Sequence, residues 1–118
     1  MKQITNAEIA KNLRATYAQW KNSKTKNKAG FFVVYNDFKD YGLLKHISGG
    51  ALKCYIFLGI VSKNDSGECW YTVESIANYF EVSQRTVSNW LKELEKNNLI
   101  KKLQFHPDEP AHTFLKPY

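Results

Sequence analysis

Thr72–Ile100, TVESIANYFEVSQRTVSNWLKELEKNNLI, decides how the rest of the chain is read. Val73, Ile76, Ala77 and Phe80 recur at helical spacing in its first part, and Val87, Leu91 and Leu94 do the same in its second. Between them Glu81-Val82-Ser83 reads as a tight turn. Ser83 suits an N-cap, because its hydroxyl can accept a bond from an orphan amide of the next helical turn. Ala77 is small where two crossing helices meet, the turn lies four residues on, and the β-branched Val87 ten residues on. That spacing is the helix-turn-helix signature, whose second helix is the one that enters a major groove. The alternative is an αα-hairpin inside an ordinary helical domain, and the flanking segments argue against it.

Working outward, Leu99 to Phe105 reads as a strand, His106 to Pro110 as a turn, and Ala111 to Leu115 as a returning strand. Together they predict a β-hairpin directly after the second helix, a wing. On the other side, Cys69-Trp70-Tyr71 predicts a short strand ending at Thr72, which caps the first helix, and Lys63–Gly67 is turn chemistry. Ser48 caps a further helix, with Leu52, Tyr55, Ile56, Gly59 and Ile60 on one face and Cys54, Leu58 and Val61 widening it. So much apolar surface implies the central core helix. Gly59 lowers its helical stability, which predicts the close approach of another element there. Before it, Phe31–Tyr35 is β-branched and aromatic and predicts a strand, and Asn36–His46 a short helix around Phe38 to Leu44.

The amino-terminal part has a different character. Thr5-Asn6-Ala7-Glu8 has capping-box spacing and opens a helix on which Ile9, Leu13, Tyr17 and Trp20 line one face. Lys21–Gly30 lacks apolar periodicity and reads as a basic linker, either a solvated connector or a phosphate contact. Residues 1–28 hold seven basic side chains against Glu8 alone, a balance of +6 that equals the charge of the whole chain. Residues 29–118 hold ten basic and ten acidic side chains and are neutral. Binding to a polyanion through counterion release would therefore draw on the arm. The aromatic stripe nevertheless needs burial more than the lysines need phosphate, which favours packing or dimerisation over a clamp on DNA.

With 118 residues, 43% hydrophobic and 24% charged, the expected class is globular. No apolar run approaches the ~20 residues of a membrane helix, and the start of the chain has no apolar signal-peptide core. A cytoplasmic location is the expectation. Cys54 and Cys69 lack the spacing of a metal or redox pair and read as packing residues. His46, His106 and His112 lie in unrelated contexts, with His106 and His112 able to approach across the hairpin. Two histidines alone make a weak metal site. The expectation is no enzyme, no metal and no cofactor.

The run LLKHISGGALKCYIFLGI, a turn with Gly67, and then WYTVESIANYFEVSQRTVSNWLKELEKNNLIKK resembles the amino-terminal winged-helix domain of plasmid replication initiators and DnaD-like primosomal proteins. The resemblance covers about residues 31–116. It implies a mainly α fold with a small β component, a winged helix-turn-helix; the extra amino-terminal helix expected before it is not part of the resemblance. Residues 1–30 would form the amphipathic helix and basic linker, and residues 31–118 the winged domain. Asn97-Asn98 stands where the family usually has glycine, and asparagine also tolerates the left-handed conformation. The expectation is that no second domain follows the wing, and roles of the initiators' carboxy-terminal regions are not carried over.

If Val87, Leu91 and Leu94 face the core, the opposite face carries Gln84, Arg85, Ser88, Asn89 and Lys92. These are types that read base edges, with Arg forking onto guanine and Gln or Asn pairing with adenine. Ser83 and Thr86 suit capping and phosphate contact, and Lys101 and Lys102 in the wing suit phosphates. Asp108 and Glu109 at the wing tip argue against deep minor-groove insertion. The expected function is sequence-specific binding of double-stranded DNA by the helix from about Gln84 to Asn97, as a homodimer. The process would be transcriptional regulation, or an accessory role in replication, partition or transfer of a plasmid or other mobile element. The alternative is a protein-interaction module, docking through the Ile9/Leu13/Tyr17/Trp20 stripe and the acidic wing tip on a partner such as the replication, partition or transfer machinery.

Overall fold

A computed structural model of the chain describes residues 3–118, so Lys2, one of the basic side chains of the arm, lies outside the described residues. The chain divides into two compact units, one ending at Phe31 and one running Phe32–Tyr118.

The first unit is helix α1, Asn6–Lys26. Its start is the expected capping box: the Thr5 hydroxyl accepts from the Glu8 amide at 3.2 Å, and the Glu8 carboxylate accepts from the Thr5 amide at 3.1 Å. The linker expected from Lys21 is corrected, because the helix continues to Lys26 and closes at Asn27 and at Lys28, whose φ is +54°. Missing apolar periodicity means only that no face is buried. Lysine is a good helix former, and Lys24 and Lys26 complement the negative end of the helix dipole.

The second unit begins with an extended segment that is not the expected strand. Residues 31–35 pair with no strand. Phe32 instead lays its ring on α4 (Gly49–Val61), against Gly59 and edge-on to Tyr55 at 5.6 Å, and the Tyr35 amide donates to the Tyr118 hydroxyl at 2.9 Å. Only Phe32 is partly buried; Phe31, Val33, Val34 and Tyr35 are exposed, so a single ring anchors the segment to the core without a ladder. The single helix expected within Asn36–His46 is two short ones, α2 (Asp37–Asp40) and α3 (Leu43–His46), split by Gly42 at φ +79°.

Ser48 caps α4 as its sequence predicts, accepting from the Ala51 amide at 3.2 Å. The buried face of α4 is Ala51, Cys54, Tyr55, Leu58 and Gly59, whereas Ile56 and Ile60, expected inside, point outward. A helix apolar on nearly every side has no periodicity to orient it, so its neighbours do. After the turn come β1 (Glu68–Cys69), shorter than expected, then α5 (Val73–Phe80) and α6 (Gln84–Lys96), with Thr72 and Ser83 as side-chain caps. Asn98 takes the left-handed conformation after α6 at φ +61°. β2 (Ile100–Leu103) and β3 (His112–Leu115) form the antiparallel wing, paired from Ile100↔Leu115 to Leu103↔His112. β1 adds to the other edge of β3, giving the order β1-β3-β2. Leu58, Ile76, Val87, Leu94, Leu99 and Ile100 are the large side chains fully enclosed where α4, α5, α6 and the wing meet.

Candidate nucleic-acid interface

The orientation of α6 follows from its apolar stripe. Val87, Leu91 and Leu94 are buried, which leaves Gln84, Arg85, Asn89 and Lys92 exposed on the opposite side and Ser88 partly so. The helix begins at a turn that is tightly specified. Glu81 sits in the left-handed region at φ +57°, and the Ser83 hydroxyl accepts from the Thr86 amide at 3.1 Å. The Ser83 and Thr86 hydroxyls also lie 2.9 Å apart, so each is already engaged within the cap.

Two contacts hold α6 in place, and sequence reasoning missed the first. The Glu93 carboxylate accepts from both the amide and the hydroxyl of Ser48, the latter at 2.8 Å, so α6 supplies an acceptor to the positive end of α4. Forty-five positions separate the two residues, and no local pattern links them. Trp90 packs on the core: it lies over Gly50 and meets Phe80 edge-on at 5.5 Å.

The wing separates two lysines that sequence proximity had grouped. With the two-residue alternation of a strand, Lys101 is exposed while Lys102 turns towards a shallow concavity it shares with Tyr71, Thr72, Leu91 and Thr113. Lys102 thus lies on the side of the wing facing α5 and α6. Among the described residues no carboxylate oxygen lies within 4.0 Å of Arg85, Lys92, Lys101 or Lys102; the ion pair found there is His112–Glu68, at 2.6 Å. His112 is held by that contact between Trp70 and Phe105, with ring centroids at 5.1 and 5.0 Å. The wing tip is folded on itself by Gln104, whose amide donates to the Pro107 and Glu109 carbonyls at 3.2 and 2.9 Å.

On α1, Ile9, Leu13, Tyr17 and Trp20 are all exposed, and the last two stack at 5.5 Å. Cys54 and Cys69 are buried and unbonded. Burial pushes the Cys54 thiol up to about 12, and that of Cys69 upward as well. Both serve packing. Among the described residues no cluster of three metal-ligating side chains occurs, and no helix is long and apolar enough to cross a membrane.

A capped helix, a three-residue turn, a second capped helix with a bare polar face, and a two-stranded wing define a winged helix-turn-helix. Residues 45–100 match the family model of a helix-turn-helix domain, which spans α4, α5, α6 and the entry to the wing. The fold is similar to that of a solved Rep–DNA complex, with a TM-score of 0.56, 14% identity and 80% of each chain covered. It is equally similar to a solved N-terminal domain of a DNA-binding protein, with a TM-score of 0.56, 15% identity, and 80% of this chain and 79% of that one covered. No curated protein matches the sequence.

Proposed function

We propose that the protein binds double-stranded DNA sequence-specifically, laying the helix from about Gln84 to Asn97 in a major groove. The observation that carries this reading is the outward face of α6, where Gln84, Arg85, Asn89 and Lys92 are exposed and, among the described residues, neither cation has a carboxylate oxygen within 4.0 Å. Arg85 and Gln84, in the first turn, are placed to reach base edges. Ser88 adds a hydroxyl to the same face. Ser83 and Thr86, engaged in the cap, contribute through the amides they order rather than through free hydroxyls. Lys102 flanks the α6 side of the wing and supplies a phosphate contact, with Lys101 an outlying one.

The binding unit is a homodimer on a repeated or palindromic site, the arrangement by which small helix-turn-helix proteins gain length of readout. Similarity to the Rep–DNA complex supports a setting in replication, partition or transfer of a plasmid or other mobile element, with transcriptional regulation as the parallel role. We read the chain as a binding protein, not an enzyme. A second reading, a protein-interaction module on the same scaffold, is favoured by the neutral charge of residues 29–118.

Selection of bound duplexes from random DNA, followed by titration of Arg85→Ala, tests the proposal. The variant should lose ~1–3 kcal/mol on the selected duplex and relax its base preference. Equal affinity of wild type for selected and scrambled duplexes would sink the specific-binding reading and leave the interaction module.

A further inference from the structure

Two apolar surfaces of this chain are exposed in its described structure. One is the α1 stripe, where Leu13 is 64% and Trp20 is 55% exposed. The other is the outer face of α4 and α5, where Ile60 is 66% and Tyr79 is 67% exposed. The second surface is continuous: Phe57 meets Tyr79, Tyr71 and Phe80 at ring centroid distances of 4.8, 5.3 and 5.6 Å, and Ile56 and Ile60 extend it by one helical turn. Its aromatic rings are therefore held in place before any partner arrives.

We infer that these surfaces bind each other between two copies of the chain, α1 of each copy docking on the α4–α5 face of the other. The inference rests on the homodimer proposed for DNA binding and names its interface. Size decides between the possible pairings. At their observed exposures, four large side chains on either surface offer roughly 400–500 Å² each, taking ~150–250 Å² for an aromatic and somewhat less for an aliphatic residue. One docking then covers about 900 Å², below the ~1,200–2,000 Å² of a stable complex, whereas a reciprocal pair covers about 1,800 Å² and falls inside it. The pair also closes with two-fold symmetry, so no surface is left to propagate. Pairing α1 with α1 would give only the smaller area. It would also bring together two helices that each carry five basic side chains against Glu8 alone. A free helix of this composition is marginal in water, so docking also explains how α1 persists.

The test is the solution mass of the full chain across a concentration series by sedimentation equilibrium, with Leu13→Asp and Ile60→Asp, both at exposed positions, checked for folding by circular dichroism. Wild type should dimerise, and either substitution alone should raise the dissociation constant at least about tenfold. An equimolar mixture of the two variants should associate more tightly than either variant alone but more weakly than wild type, because one docking of about 900 Å² survives between the wild-type helix of one copy and the wild-type face of the other. Dimers that persist in Ile60→Asp would show α1 pairing with α1, and dimers that persist in Leu13→Asp would show pairing through the body; either overturns the inference. So does a wild type that stays monomeric, the result expected of docking within one chain, or a mixture that associates no more tightly than either variant alone. DNA binding is read separately on a single half-site: a variant that is monomeric yet keeps its base preference leaves the DNA reading intact.

Discussion

At the scale of single residues, two glycines and one ion show how closely the helices are matched. Gly50 lies under the Trp90 indole, and a Cβ on Gly59 would lie 2.4–2.5 Å from three ring atoms of Phe32, so Gly59→Ala must displace the whole ring. It should destabilise the fold by ~1–3 kcal/mol, the usual penalty of overpacking. Phe32→Leu in the same chain should recover part of that loss, as a double-mutant cycle on urea midpoints would show. The need for close approach was legible in the sequence at Gly59, because glycine is a poor helix former. Its partner was not, because Phe32 lies in a segment whose composition predicts a strand. Glu93 is the converse case. It reads as an ordinary solvated acid, yet its carboxylate accepts both Ser48 donors. Glu93→Gln should cost ~1–2 kcal/mol in thermal unfolding, as a charge-assisted pair of bonds becomes neutral.

At the scale of elements, the turn between α5 and α6 holds a conformation that its sequence does not favour. Glu81 closes α5 at φ +57°, where its amide donates to the Asn78 carbonyl at 3.4 Å. A β-carbon in that region costs ~1–2 kcal/mol, while glycine gives part of this back in chain entropy. Glu81→Gly should therefore raise stability by up to about 1 kcal/mol in chemical unfolding, without changing the base preference of α6. The side-chain N-caps were legible: Thr5, Ser48, Thr72 and Ser83 each accept an amide of the first turn. Such signals depend on neighbours within four residues, which is why reading them needed no fold. The facing of α4 was not legible, because Ile56 and Ile60 are as apolar as Leu58 and only packing against α6 and Phe32 selects the inner side.

At the scale of the whole molecule, charge and burial make separate predictions. The excess positive charge lies in residues 1–28. Removing them should weaken binding to any single half-site duplex and flatten the plot of log affinity against log salt, by ~0.9 for each phosphate that the arm no longer neutralises. A slope unchanged by truncation would take the arm off DNA and leave it to dimerisation. Alkaline stability follows from burial. Desolvation pushes the Tyr55 hydroxyl up to about 12, helped by Tyr118, and the Cys54 thiol up to about 12, helped by Cys69. For both groups the unfolded chain loses its proton first, so the folded state binds more protons and stability declines as pH rises. The loss should begin near pH 9, the ordinary value of the thiol, and continue to about 12, with no contribution from either group below that window. Thermal melts by circular dichroism from neutral to alkaline pH would check the direction.

Helical spacing, caps, turn residues and the strand–turn–strand pattern after Leu99 determined the helix-turn-helix and its wing, because each signal is short-range and repeats at the period of its own element. The charge division was also set by composition alone. Tertiary structure decided which way α4 faces and that Phe32 covers a helix instead of joining a sheet. It also brought Glu93 to Ser48 and His112 to Glu68. In every one of these cases the deciding contact joins residues remote in the chain or selects between chemically equivalent faces, and only packing against a third element supplies that choice.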